Sequence, residues 1–128
     1  MIHKTAIVDK NAKISENVEI GPYSIIGPKV EIGANTKIHS HVNLVGSTTI
    51  GKNNQIYPFS SIGTPPQDLK FKGEKNSLII GDNNKFREYV NINPGTEQGG
   101  GITSIGDNNL FMVYCHVCLL YTSDAADE

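Results

Sequence analysis

Every sixth residue from Ile2 to Ile62 is aliphatic: Ile2, Val8, Ile14, Ile20, Ile26, Ile32, Ile38, Leu44, Ile50, Ile56 and Ile62. A helix would place its apolar residues three, four and seven apart, and a half-buried strand would alternate by two. A fixed period of six is an internal repeat, and it predicts a parallel β-helix. Each hexad forms one flat side, and three sides close a triangular turn of about 18 residues. The sixth-position residue points inward. Successive turns stack at about 4.8 Å, the spacing of hydrogen-bonded strands. The aliphatics therefore line up as ladders in a narrow core, and each turn buries its apolar side only against its neighbours.

The polar positions have the same period. Glycine follows the ladder residue at Gly21, Gly27, Gly33, Gly51, Gly63, Gly81 and Gly106, and the string Ile-Gly-x-Asn brings in Asn35, Asn53, Asn83 and Asn108. Both residue types tolerate positive φ, so both are expected at the corners. A series of hairpins with Asn and Gly turns is the competing reading, but hairpin spacing does not stay locked at six.

The pattern breaks twice. Asp68 and Glu74 stand where aliphatics are due, and the ladder resumes in phase at Ile80, Phe86 and Ile92. Residues 63–77, rich in proline and charge, read as a loop extruded from the coil. A second break spans Pro94 to Thr103 and contains Gly99, Gly100 and Gly101. The ladder then returns one residue out of register at Ile105, Phe111 and Val117. The triple glycine lacks the strand–loop–helix context and the Lys-Ser/Thr of a phosphate loop, so it reads as a flexible tip. Long loops in a compact repeat are either functional or tolerated insertions.

Composition narrows the classes. The chain has 128 residues, one domain's worth, and a net charge of −2, which gives no basic footprint for nucleic acid. No apolar leader follows the first methionine, and the apolar stretch from Leu110 to Tyr121 is too short to span a bilayer. Cys115 and Cys118 form a Cys-x-x-Cys around His116, but no second ligand pair accompanies them. No cofactor or metal is expected, and a reducing, cytoplasmic setting fits two cysteines. Asp68 and Lys70 are an acid–base pair in a loop, a pattern shared by substrate-contacting residues and by solvated salt bridges.

Together, the hexads, the Met-Ile-His start, the loop Gln67-Asp68-Leu69-Lys70-Phe71, the string Gly95-Thr96-Glu97-Gln98-Gly99-Gly100-Gly101 and the run Asn109 to Val117 resemble the acyl-carrier-protein–UDP-N-acetylglucosamine O-acyltransferase family. The resemblance covers residues 1–117. It implies an all-β, left-handed parallel β-helix with two extruded loops. The hand comes from the family, since parallel crossovers are otherwise right-handed. The implied reaction moves a 3-hydroxyacyl group from acyl carrier protein to the 3-hydroxyl of UDP-N-acetylglucosamine, the first step of lipid A synthesis, in clefts between the subunits of a homotrimer.

Carried over by position, Asp68 and Lys70 match loop residues that contact the acyl and sugar groups, with Gln67 beside them. Asn93 stands where many members have histidine, and Pro94 stands in place of the commoner arginine. His116 matches the first histidine of a His-x-x-His pair and is expected to support the catalytic centre. The general base is due at position 119, with aspartate after it; this chain has Leu119 and Leu120. Residues 118–128 resemble the translated read-through of a sequencing adapter and are expected to be a non-native tail. The remaining coils and the C-terminal helical domain of the family are expected to be absent, leaving the chain itself inactive.

Two other classes share the solenoid. A γ-type carbonic-anhydrase-like metal hydratase would draw ligands from His3, His39, His41 and His116, with His39 and His41 two apart on one strand face. A non-catalytic solenoid would need threonines aligned on one flat face, and Thr5, Thr36, Thr48, Thr49, Thr64 and Thr96 do not align.

Overall fold

The computed structural model describes residues 1–64, 77–94 and 102–113, and the backbone of 116–118. Among the described residues, sixteen short strands follow one another: β1 (Ile7–Val8), β2 (Lys13–Ile14), β3 (Glu19–Ile20), β4 (Ile25–Ile26), β5 (Val30–Ile32), β6 (Lys37–Ile38), β7 (Asn43–Leu44) and β8 (Thr48–Ile50). They continue as β9 (Gln55–Ile56), β10 (Ser61–Ile62), β11 (Ser77–Ile80), β12 (Lys85–Phe86), β13 (Asn91–Asn93), β14 (Ile102–Ile105), β15 (Leu110–Phe111) and β16 (His116–Cys118). Every third strand joins the same parallel sheet. The first sheet runs β1-β4-β7-β10-β13-β16, the second β2-β5-β8-β11-β14 and the third β3-β6-β9-β12-β15. This is the three-sided coil expected from the hexads. None of the described residues forms a helix long and apolar enough to cross a membrane.

The register aligns the ladder residues one above another. Ile20, Ile38, Ile56, Phe86 and Phe111 form one column, and Ile32, Ile50, Ile80 and Ile105 another. The third column contains Val8, Ile26, Leu44, Ile62, Ile92 and Val117. The one-residue slip after the second break is accommodated, because Ile80 pairs with Ile105 and Phe86 with Phe111.

The corners differ from the expectation in one respect. Asn35, Asn53, Asn83 and Asn108 do adopt φ between 62 and 63° or, for Asn53, 59°. Among the described glycines, however, only Gly46 and Gly63 have positive φ. Gly21, Gly33, Gly51 and Gly81 are glycine for lack of space. A Cβ on Gly33 would lie 2.5 Å from the carbonyl of Gly51, and one on Gly51 would lie 2.7 Å from the Gly81 oxygen. The glycine column lets each turn sit directly on the next.

A second corner has no counterpart in the expectation. Tyr23, His41, Phe59 and Tyr89 all take φ between 56 and 65°. Left-handed backbone costs a residue with a bulky side chain about 1 kcal/mol or more. The rings stack in sequence, with centroids 5.2, 5.0 and 5.4 Å apart.

Buried polar side chains line the inside of the corners and complete the backbone hydrogen bonding there. Asn54 Nδ2 donates to the Gly81 carbonyl at 2.9 Å, and the Asn84 amide donates to Asn54 Oδ1 at 2.8 Å. One turn higher, Asn84 Nδ2 donates to Gly106 O and the Asn109 amide donates to Asn84 Oδ1. In the lower turns a threonine does the same work: Thr36 Oγ1 donates to Gly51 O and accepts from the Asn54 amide. Ser24 and Ser60 fill the equivalent places at another corner, donating to the His39 and Arg87 carbonyls.

Candidate functional site

Both breaks in the ladder open at the same corner. The first lies between β10 and β11, the second between β13 and β14, and each joins the first sheet to the second in consecutive turns. In the turn below, the same corner is closed by Val45, Gly46 and Ser47, with the Thr48 amide donating back to the Gly46 carbonyl. The described residues that flank the two breaks, Thr64 and Ser77 for the first and Pro94 and Ile102 for the second, therefore stand at one corner in consecutive turns. Gln67, Asp68 and Lys70 fall within the first break and lie outside the described residues, as do Leu119, Leu120 and the rest of the segment 119–128.

The stems of the two segments are joined. Gly63 donates its amide to the Ile92 carbonyl at 2.8 Å. A side chain cannot replace its hydrogen, because at φ 87° a Cβ would meet the Val45 carbonyl oxygen and Thr48 Oγ1. Beside it, Asn93 Nδ2 donates to both the carbonyl and the hydroxyl of Thr64, each at 2.9 Å. Asn93 is 1% exposed. Its amide thus ties the stem of the second break to the stem of the first, one turn below. Thr64 was not singled out by its sequence position. The signal that points to it is Asn93 itself, a polar residue at the end of an inward-facing run.

Asn93→Ala is expected to lower stability by about 1–3 kcal/mol, because the Thr64 carbonyl loses its donor inside the corner. Urea unfolding followed by circular dichroism measures this. A change under about 0.5 kcal/mol would show that the clamp carries little weight.

The outward positions of the first sheet lead from this corner to His116. In register, Asn43, Ser61, Asn91 and His116 form one column across β7, β10, β13 and β16. Asn91 Oδ1 is buried and has no hydrogen-bond partner among the described residues. The structure thus brings His116, Asn91 and the two stems onto adjoining strands.

The other histidines lie elsewhere. His39 and His41 are not on one strand face, as expected for a ligand pair; they occupy the turn between β6 and β7. His39 stacks on Tyr57 at 4.4 Å, with the Arg87 guanidinium 4.4 Å from the same ring, whereas His41 belongs to the aromatic corner. Burial, and then the nearby Lys37 charge, lower the His39 pKa, while Gln55, Glu88 and Glu19 oppose the shift. Among the described residues, no three His, Cys, Asp or Glu side chains gather closely enough to hold a metal ion. An open depression of about 270 Å³ is lined by residues including His3, Glu19, Gly21, Lys37 and His39. It lies in the first turns of the coil, away from β13 and β16.

Comparison with known proteins gives a consistent picture. Residues 1–33 and 11–46 match the bacterial transferase hexapeptide family (six repeats). The acyl-[acyl-carrier-protein]–UDP-N-acetylglucosamine O-acyltransferase of Rickettsia conorii is 53% identical over 116 residues, 91% of this chain and 44% of that protein. The structure of LpxA from Acinetobacter baumannii matches with a TM-score of 0.90 and 53% identity, over 91% of this chain and 45% of that one. The UDP-N-acetylglucosamine O-acyltransferase (LpxA) of Moraxella catarrhalis matches with a TM-score of 0.92 and 49% identity, over 95% and 48%. The coil has the left hand of these neighbours. The chain spans about half the length of the relatives it matches.

Proposed function

Because 91% of the chain is homologous to acyl-[acyl-carrier-protein]–UDP-N-acetylglucosamine O-acyltransferases, we propose that it is part of an enzyme that acylates the 3-hydroxyl of UDP-N-acetylglucosamine. The donor is a 3-hydroxyacyl thioester of acyl carrier protein, and the step opens lipid A synthesis. The observation that carries this reading is the 53% identity sustained over 116 residues together with the superposable coil. The setting is cytoplasmic and the working assembly a homotrimer with its sites between subunits.

The chemistry assigns distinct tasks to the residues. A sugar hydroxyl becomes an effective nucleophile only as a base removes its proton. Its attack on the thioester carbonyl places charge on oxygen, which needs a hydrogen-bond donor, and the carrier thiol then departs. Asp68, Lys70 and Gln67 hold the acyl and sugar groups from the first loop. His116, beside Asn91 on the first sheet, supports the centre. Asn93 is a further substrate-binding position, and its bonds to Thr64 tie the stems of the two loops together. The base itself is due at position 119, and leucine has no atom that accepts a proton. The 128-residue chain therefore binds at most, and does not turn over.

The test pairs two proteins with acyl-carrier-protein thioester and UDP-N-acetylglucosamine. The chain as it stands is expected to give no ester product above background. A chimera with residues 1–117 in place of the matching part of the Rickettsia conorii relative is expected to give product, and Asp68→Ala in that chimera to lower kcat/KM by roughly 100-fold. A chimera that folds by circular dichroism yet forms no ester would overturn the reading.

A further inference from the structure

One column of the coil is a stack of flat side chains with a gap in it. The residue after each ladder position of β3, β6, β9 and β12 donates its amide to the ladder carbonyl of the next turn, and His3 does the same below them. In order, the column reads His3, Gly21, His39, Tyr57 and Arg87. At its top the Arg87 guanidinium lies 4.4 Å from the centre of the Tyr57 ring. Tyr57 in turn stacks on His39 at 4.4 Å, with planes 15° apart. Each planar group is thus one rise of the coil from the next. The next member is due at Gly21, and no side chain fits there. A Cβ would lie 2.8 Å from the His39 carbonyl carbon. Among the described residues, the face of His39 turned away from Tyr57 has no ring against it.

The gap is the open depression of about 270 Å³ in the first turns, bounded by His39 and His3. These stand two rises of the coil apart, about 9–10 Å, which admits one planar group between two rings. The volume is just below the roughly 300–1,000 Å³ of sites for drug-sized molecules, so it suits a single ring system. Glu19 and Lys37 line the same depression, opposite one another in register on β3 and β6. Among the described residues, neither makes an ion pair. An ionised carboxylate only accepts hydrogen bonds and an ammonium only donates them. Glu19 therefore calls for N–H groups, and Lys37 for an anion. Burial, and then the Lys37 charge, lower the His39 pKa, which favours the neutral ring and leaves Lys37 as the cation beside it.

We infer that this gap binds a purine nucleotide, with the purine stacked on His39 in the place that Gly21 leaves open, its amino group on Glu19 and its phosphate on Lys37. A purine supplies the flat face, the N–H donors and the anion together. An aliphatic anion lacks the face, and uracil has a single N–H to offer. The site lies in the first turns, away from β13 and β16, and is independent of the acyl-transfer reading.

Nuclear magnetic resonance of the full chain, titrated with adenosine monophosphate at neutral pH, tests it. The ring protons of His39, identified by their loss in His39→Ala, are expected to shift upfield under the stacked purine. His39→Ala should weaken binding roughly tenfold. Lys37→Ala should weaken it roughly threefold to tenfold and remove most of its salt dependence. Lys85→Ala, in the same outward column two turns above Lys37, should change nothing. Inorganic phosphate alone should leave His39 unmoved, uridine monophosphate should bind more weakly, and UDP-N-acetylglucosamine should not displace the purine nucleotide. Several results would each overturn the assignment: no shift at His39 up to about 5 mM nucleotide, unchanged binding in a folded His39→Ala chain, or equal weakening by Lys85→Ala. So would a shift caused by phosphate alone, equal affinity for uridine monophosphate, or displacement by UDP-N-acetylglucosamine.

Discussion

Replacing Asn84 by alanine is expected to destabilise the upper turns by about 3–5 kcal/mol, one of the two largest single-residue effects in this chain. Asn84 is fully buried and works in three directions. Its Nδ2 donates to the Gly106 carbonyl at 2.9 Å, its Oδ1 accepts the Asn109 amide at 2.8 Å, and its own amide donates to Asn54 Oδ1. Alanine leaves a backbone carbonyl and a backbone amide unpaired inside the corner, where water cannot replace the lost partners. The predicted rescue is Asn84→Thr. Thr36 already makes both kinds of bond two turns below, to Gly51 O and from the Asn54 amide. Urea titration should show Asn84→Thr recovering about half of the loss. If alanine and threonine prove equally harmless, the internal asparagine column is not what closes the corner.

Phe86→Ala is expected to cost a comparable 3–5 kcal/mol, for an apolar reason. Phe86 has no exposed surface and stacks on Phe111 with centroids 4.7 Å apart and planes 4° from parallel. It continues the column begun by Ile20, Ile38 and Ile56, but with a ring in place of an aliphatic side chain. Removing the ring leaves Phe111 without its stacking partner. Turns of a solenoid are coupled only to their neighbours, so the loss should be local. Denaturation should change from one transition to two, with amides of residues 102–111 exchanging with solvent before those of residues 18–50. A single transition displaced by less than about 1 kcal/mol would show that the upper turns do not depend on this pair.

The two substitutions differ in how visible they were beforehand. Phe86 stands in the period-six frame, and the frame alone marks it as core. Asn84 does not: it follows Asn83, the residue that the Ile-Gly-x-Asn string identifies as the corner. The structure divides the pair, giving the left-handed φ to Asn83 and the buried hydrogen bonds to Asn84. Two adjacent asparagines look alike in a sequence. Only the direction of the side chain relative to the coil separates a surface turn from an internal clamp.

The candidate site shows the same division. His116 was marked by its place in a string shared with a family, and its column with Asn91 follows from the register. Asn93 was marked in the same way, as a residue near substrate. The structure adds that it is buried and gives its amide to Thr64. The glycines after the ladder residues were expected to supply turns, yet most of them supply clearance for the next turn's backbone.

The sequence by itself determined the coil, its three faces, the two interruptions and the one-residue slip, because a period of six can bury its aliphatics in only one way and local spacing carries that information. It did not determine which corner each interruption occupies relative to the other, that Asn93 holds Thr64 across 29 residues, or that four aromatic residues stand one above another on a strained corner. Those depend on which turns lie in contact. Residues far apart in the chain become neighbours only once the coil closes, and only then do clearance, stacking and buried hydrogen bonds select among side chains that the repeat alone treats as equivalent.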